Sequence, residues 1–387
     1  MTDASTMTDP AAIADALVSS AVGGARGPRA RARFHTLAVS DIRPLTADAV
    51  EVTFEIPERL VDEYRYLPGQ YVALRTTLDG EDARRSYSLC RPPSRTSISV
   101  AIKRDHGGRF STWAQEGLRV GDELEVMSPQ GGFTSSIDDL AAVHVAGIAA
   151  GSGITPLMSL ATTVLARSAT ARFSLVYTNR STKDVMFLEE LADLKDRYPT
   201  RFALHHVLSR EQRAAPVLSG RIDEERLGRI LDGLVRPETV DEWFLCGPLE
   251  LVQLCRETLR VRSVEDERVR FELFSTGEER RGPRPPVVVR DDAPTVTIEF
   301  TLDGQSATVD SPVDANESIL DAALRVRPDV PFACAGGVCG TCRARVLAGS
   351  VHMTDNYALE PDELDRGYVL TCQSHPTTDR VTVDYDS

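Results

Sequence analysis

The stretch "CAGGVCGTC", residues 334–342, places three cysteines and three glycines within nine residues. A fourth cysteine, Cys372, follows after a gap of 29 residues. Four kinds of site use such a loop: a metal knuckle, a disulfide loop, a redox-active thiol pair and an iron–sulfur ligand loop. The chain is otherwise poor in cysteine, with seven among 387 residues.

Spacing separates these readings. Zinc ribbons present two C-x2-C knuckles, and only one is present here. A thioredoxin-type C-x2-C sits in a βαβ pattern, whereas this one lies in a glycine-rich loop. Secreted disulfide scaffolds are smaller and evenly stapled. The spacing C-x4-C-x2-C…C of a plant-type [2Fe–2S] site fits Cys334, Cys339, Cys342 and Cys372 together. Gly336, Gly337 and Gly340 would let the loop take unusual φ values and bring backbone N–H groups close to sulfur.

Residues 294–387 resemble plant-type ferredoxin domains. The resemblance implies a β-grasp fold with those four cysteines as cluster ligands. Ala335 departs from the pattern, because plant ferredoxins commonly carry Arg there. Upstream of the loop, "TVTIEFTLDGQSATVD" reads as a hairpin turning at Asp303-Gly304. "NESILDAALRV" reads as a short helix with Asn316 as its N-cap.

Charge and composition exclude several classes. The net charge is −14, and residues 294–387 contribute −9 of it, from 15 acidic and 6 basic side chains. That balance argues against nucleic acid as a partner. No apolar run reaches about 18 residues, so no membrane span is expected. The Ala-rich segment 11–22 lacks a basic flank and contains Asp15, which makes a poor signal peptide. A cytoplasmic protein with reduced or metal-bound cysteines is expected. The organisation reads as a flexible tail (1–33), a barrel (34–137), an α/β domain (138–276), a Pro- and Arg-rich linker (277–293) and the cysteine domain (294–387).

Residues 34–137 show short alternating runs such as "AVEVTFEI" and "TSISVAI", the pattern of a small antiparallel barrel. Within it, "RRSYSLC" (84–90) resembles the R-x-Y-S motif of the ferredoxin–NADP reductase superfamily. The resemblance implies that Arg85, Ser86, Tyr87 and Ser88 bind a flavin. Arg85 would meet its pyrophosphate, and Ser88 the nitrogen where hydride arrives. "AIKRDHGGRFSTW" (101–113) resembles the second flavin segment, which implicates Ile102, Lys103, Gly108, Arg109, Phe110 and Ser111. Two phosphate-binding segments fit FAD better than FMN.

From about residue 140 strands and helices alternate through five strands, which predicts a doubly wound parallel sheet. "GIAAGSGITP" (147–156) resembles the G-x-G-x-x-P loop of the same superfamily, with Gly151, Gly153 and Pro156, and Thr155 as the helix cap. "CGP" (246–248) ends the fourth strand, and the resemblance places Cys246, Gly247 and Pro248 near the nicotinamide. "FELF" (271–274) resembles the Glu-x-aromatic ending of plant reductases, which gives Glu272 and Phe274 a place near the flavin. For the nucleotide, Arg180 follows the second strand with no acid beside it. Ser209 and Arg210 in "LSREQ" resemble the pair that holds a 2′-phosphate. The expected cofactor is therefore NADPH.

The modules impose a direction. NADPH delivers an electron pair, the flavin accepts it, and a [2Fe–2S] cluster passes electrons singly. The domain order resembles the reductases of multicomponent ring oxygenases, over residues 34–387. "YTNRSTKDVMFLEELADLKDRYP" and "NYALEPDELDRGYVLTCQS" are similar to the phenylacetyl-CoA 1,2-epoxidase reductases. That resemblance implies electron delivery to a di-iron subunit that epoxidises the ring of phenylacetyl-CoA. Two alternatives stand beside it: an NADH-dependent reductase of a Rieske-type steroid oxygenase, and a flavin reductase carrying a zinc-bound interaction module.

Overall fold

The computed structural model describes residues 32–105, 107–137, 140–274, 294–332, 334–359 and 361–387. Residues 1–31 of the expected tail and the whole expected linker 277–293 lie outside the described residues. Two compact units result. The first comprises the chain up to Ala83 and Tyr87–Phe271, and the second comprises Arg84–Ser86 and Glu272–Ser387.

The first unit begins with strands β1 (Phe34–Thr46), β2 (Ala49–Glu55), β3 (Tyr71–Leu78), β4 (Glu81–Ser88), β5 (Ser97–Lys103) and β6 (Glu123–Met127), with helix α1 (Arg109–Glu116) between the last two. They form a six-stranded sheet in the order β4-β3-β6-β1-β2-β5. Its registered pairs β1–β2, β1–β6, β2–β5 and β3–β6 are antiparallel. Just past β4, Leu89 bridges Val100 of β5 and brings the two ends of the sheet together. Alternation explains the closure: Val52, Phe54, Ile98 and Val100 are buried against Leu37, Val39 and Val126. Arg33 is already tied to this sheet, since the Ser128 N–H donates to its carbonyl at 2.7 Å.

Strands β7 (His144–Ala150), β8 (Arg172–Asn179), β9 (Phe202–Leu208), β10 (Glu242–Gly247) and β11 (Val269–Leu273) alternate with helices α2 (Ile154–Arg167), α3 (Leu188–Arg197), α4 (Glu224–Gly233) and α5 (Leu249–Val261). Sheet order is β11-β10-β7-β8-β9, and the β10–β7, β7–β8 and β8–β9 pairs are parallel. This is the doubly wound arrangement expected. β7 is buried almost throughout, as a strand covered by helices on both faces must be.

Strand order reverses between β7 and β10, which opens a crevice at their carboxyl ends. Two glycines shape it. A Cβ on Gly153 would lie 2.2 Å from the Cys246 carbonyl oxygen, and one on Gly247 would lie 3.0 Å from the Ala150 Cβ. The loop after β7 therefore rests directly on the peptide that ends β10. Gly151 has a left-handed φ of +54° but open space around it.

The second unit holds β12 (Thr295–Leu302), β13 (Gln305–Pro312), α6 (Ile319–Leu324), β14 (Arg343–Ala348), β15 (Val351–Met353), α7 (Pro361–Asp365), β16 (Tyr368–Leu370), β17 (Ser374–Pro376) and β18 (Arg380–Asp384). The sheet order is β13-β12-β18-β14-β16, with β12 and β18 parallel at its centre. This is the β-grasp topology. The hairpin turn falls at Asp303 and Gly304, both at positive φ, as a two-residue primed turn requires. The expected cap of α6 is corrected: Asn316 is left-handed, at φ +45°, and ends the preceding turn. Ser318 caps the helix, its hydroxyl accepting the Asp321 N–H at 3.2 Å.

The crevice yields a test. Gly153→Ala forces a methyl group into the Cys246 carbonyl and should destabilise the protein by about 1–3 kcal/mol. Gly151→Ala meets only backbone strain of about 1–2 kcal/mol. Thermal unfolding should show a downshift for both. Loss of nucleotide binding out of proportion to stability is expected for Gly153→Ala.

Candidate active site

The four thiols of the second unit fall into two pairs. Cys334 interacts with Cys339, and Cys342 with Cys372, and each pair feels the charge of the other. Among the described residues, no three His, Cys, Asp or Glu side chains gather to hold one metal ion. A single zinc needs its ligands around one point. Two thiol pairs suit a two-iron cluster, with two thiolates for each iron.

The donors nearby fit the same chemistry. The Gly336 N–H donates to Cys334 Sγ at 3.4 Å, and the Thr341 hydroxyl lies 3.1 Å from Cys339 Sγ. The Gln373 amide approaches Cys372 Sγ at 3.7 Å and donates to the Ala335 carbonyl at 3.1 Å. Thr371 donates to the Cys342 carbonyl at 2.8 Å, and the buried Tyr385 hydroxyl donates to Thr371. Hydrogen bonding within the pairs pulls the Cys339 thiol down to about 6, and lowers that of Cys372 as well.

Sequence reasoning did not single out Thr341, Thr371, Gln373 or Tyr385. The first three stand beside ligand cysteines in the chain, which was the available signal. Tyr385 had none. One expectation changes in detail. Gly337 (φ +78°) and Gly340 (φ +68°) are left-handed, but Gly336 is not, and the third left-handed position is Ala335, at φ +51°.

In the barrel, Arg85, Ser86, Tyr87 and Ser88 lie consecutively on β4. The Tyr87 ring packs on Phe110 at a centroid distance of 5.9 Å, and Phe110 packs on Trp113 at 5.5 Å. The two segments singled out in the sequence therefore meet through an aromatic contact. Ser86 Oγ is buried with no hydrogen-bond partner among the described residues. Helix α1 starts at Gly108 with no side-chain cap and no acid in its first turn, which leaves its N–H groups available to a phosphate. Ser111 holds the preceding turn, accepting the Asp105 N–H at 3.0 Å. Arg109 donates to Asp79 and Glu81. Ile102 is buried in β5, and Lys103 pairs with Asp48 at 3.7 Å. These features fit a flavin whose pyrophosphate lies at α1.

Across the α/β half, Gly151, Gly153, Cys246 and Gly247 come together at the crevice, and Cys246 is fully buried. Pro248 leads into α5, and Pro156 sits in the first turn of α2. The role expected of Thr155 is corrected. It lies inside the first turn, where its hydroxyl donates to the Ser152 carbonyl at 3.0 Å. The cap position belongs to Gly153, without a side-chain hydrogen bond. The turn Gly151–Gly153 runs directly into α2, with the Ile154 N–H donating to the Gly151 and Ser152 carbonyls, and no side chain caps its start. Glu272 lies on β11 and Phe274 just beyond it, where the first unit gives way to the second.

The loops after β8 and β9 run side by side. The Arg210 N–H donates to the Arg180 carbonyl at 2.7 Å, and the Ser209 N–H to the Asn179 carbonyl at 2.9 Å. Arg180 is engaged by Asp184 at 2.8 Å and by Asp48 at 3.6 Å. Arg210 is exposed, and its guanidinium has no hydrogen-bond or ion-pair partner among the described residues; the same holds for Arg213, which carried no signal in the sequence. His205 and His206 belong to β9, and burial lowers His206 to about 4, so it is neutral.

Comparison with known proteins agrees with this architecture. Residues 36–135 match the oxidoreductase FAD-binding domain, residues 148–257 the oxidoreductase NAD-binding domain, and residues 300–377 the 2Fe-2S iron-sulfur cluster binding domain. The chain is 43% identical to a component of the 1,2-phenylacetyl-CoA epoxidase of Escherichia coli K12, across 92% of this chain and 98% of that one. It is 33% identical to the ferredoxin reductase component of the 3-ketosteroid-9-alpha-monooxygenase of Rhodococcus rhodochrous, across 90% and 96%. The phthalate dioxygenase reductase structure superposes with a TM-score of 0.56 at 23% identity, covering 91% of this chain and 98% of that one. Barrel, crevice and thiol pairs thus follow one another as three known domains, and the chain belongs to the family of multicomponent-oxygenase reductases built from FAD-binding, NAD-binding and 2Fe-2S domains.

Proposed function

We propose that this protein is the NADPH-dependent reductase that feeds a di-iron oxygenase, the one that epoxidises the ring of phenylacetyl-CoA. The observation that supports the acceptor is the 43% identity to the epoxidase component along nearly its whole length. The steroid oxygenase reductases, at 33%, support the Rieske alternative less. When bound, the flavin takes an electron pair from the nicotinamide and releases it singly, and the cluster carries single electrons onward.

The residues divide the work. Arg85, Ser86, Tyr87 and Ser88, with Ile102, Lys103 and Gly108 to Ser111, hold FAD. Ser88 stands at its reactive edge, with Glu272 and Phe274 contributing from the end of β11. Gly151, Gly153, Thr155 and Pro156 shape the pyrophosphate loop, while Cys246, Gly247 and Pro248 floor the nicotinamide site. Arg210 and Ser209 receive the 2′-phosphate. Arg213 is added to them, and Arg180, already held by two carboxylates, orders the loop. Cys334 and Cys339 hold one iron, and Cys342 and Cys372 the other. The domain limits follow at 34–137, 138–276 and 294–387. Among the described residues none of the seven cysteines forms a disulfide, which supports a reducing, cytoplasmic location.

Reconstitution tests the whole reading. NADPH oxidation should couple to phenylacetyl-CoA consumption only when the oxygenase components of the epoxidase are added. Coupling to a Rieske oxygenase instead would select the alternative. For the nucleotide, Arg210→Ala should raise KM for NADPH by roughly tenfold or more while leaving KM for NADH nearly unchanged. Equal effects on both would remove Arg210 from the phosphate site.

The cluster has its own test. Cys339→Ser should abolish cytochrome c reduction while NADPH–ferricyanide activity largely persists. Iron and zinc analysis of the wild type, with its visible spectrum, decides between a cluster and a zinc module.

A further inference from the structure

The hairpin formed by β1 and β2 carries three charged side chains toward the nucleotide half of the first unit. Glu51 is almost fully buried. It accepts from Arg43 at 2.7 Å and from Arg91, which lies just past the flavin strand β4. Both arginines also reach Glu190, in the first turn of α3; the Arg91 contact measures 3.4 Å. The Arg91 guanidinium sits 5.5 Å from the centroid of Phe187, the residue that opens α3. Its carbonyl accepts the Ser159 hydroxyl of α2 at 2.6 Å. At the hairpin tip, Asp48 pairs with Arg180 beyond β8 and with Lys103 of the flavin segment.

Every contact in this set joins the barrel to the α/β half or braces a residue that does. Two guanidinium groups face two carboxylates, so the four-residue cluster is neutral and each charge is compensated. It grips α2 and α3, the helices that follow the first two strands of the nucleotide sheet. Phe187 shows how firmly. It is buried and held at a left-handed φ of +58°, a conformation that persists in a non-glycine residue only when its surroundings fix it.

We propose that Arg43, Glu51, Arg91 and Glu190 form an ionic latch that sets the alignment of the nicotinamide half on the flavin half. These are positioning residues. They act through α3 and the loop after β8. Electron transfer from nicotinamide to flavin requires close approach of the reacting atoms, so a small displacement of one half slows it steeply. The proposal rests on the flavin and nicotinamide domains shown by family membership, and not on the identity of the oxygenase.

The test uses the FAD- and cluster-loaded protein in stopped flow. Glu51→Gln and Glu190→Gln should each lower the limiting rate of flavin reduction by NADPH by about tenfold. FAD content, the Kd for NADPH and the flavin absorbance spectrum should stay as in the wild type. If the variants keep their FAD and reduce it at the wild-type rate, the latch serves stability alone and the proposal fails. A rate that falls only in proportion to lost FAD overturns it too. Should Glu51→Gln not fold, Glu190→Gln, on the more exposed side of the cluster, decides the question by the same readings.

Discussion

The missing side chain at Gly153 is the constraint around which the first unit is arranged. With no Cβ, the loop after β7 settles onto the Cys246–Gly247 peptide. That contact joins the two strands between which the sheet order reverses, the place where open α/β sheets bind ligands. It also leaves the α2 N-terminus with a glycine in place of a capping side chain. The Ile154 N–H that follows is bonded to the Gly151 and Ser152 carbonyls, so the turn Gly151–Gly153 and α2 form one continuous coil. The close packing of this turn on the end of β10 thus comes from one atom's absence.

Electrostatics in this unit follow from burial. Burial of Glu51 works to raise its carboxyl pKa, but the hydrogen bonds and charges of Arg91 and Arg43 outweigh it and hold the group below the ordinary carboxylate value. The sign for stability is then fixed. The contribution is complete above the unfolded carboxylate pKa and is lost as pH falls through the lower folded value. Buried ion pairs add little net stability compared with apolar packing, yet losing one partner strands the other. Such a cluster is therefore better suited to fixing one arrangement of two halves than to adding cohesion.

Much of this was legible in the sequence. The barrel and the doubly wound sheet announce themselves through strand periodicity, the four clustered cysteines through their spacing, and the β-grasp unit through its resemblance to ferredoxin domains. Caps were legible only in part. Thr155 and Asn316 have the right chemistry for caps, but backbone geometry gave those positions to Gly153 and Ser318, an offset of two residues deciding each case. The ionic latch was invisible. Glu190 lies 147 residues from Arg43 and 99 from Arg91, and exposed-looking Arg and Glu residues carry no mark of the partner that will bury them. Arg213 escaped for a related reason, because a loop arginine reveals its exposure only once its neighbours are placed.

In the cysteine loop, one irregular residue ties the two thiol pairs together. A left-handed alanine costs about 1–2 kcal/mol relative to a right-handed one. Ala335 sits at φ +51° and leads directly into the Gly336 N–H that faces Cys334 Sγ, while its own carbonyl faces Gln373. The Gln373 amide also approaches Cys372. A single strained residue therefore braces the first thiol pair against the second across 38 positions of sequence. The two pairs are not equivalent. Cys342 and Cys372 are buried, whereas Cys334 and Cys339 are only partly covered. Because residue 335 is alanine where plant ferredoxins commonly carry arginine, the Cys334–Cys339 side offers no cation of its own at this position, and residues 294–387 carry a net charge of −9.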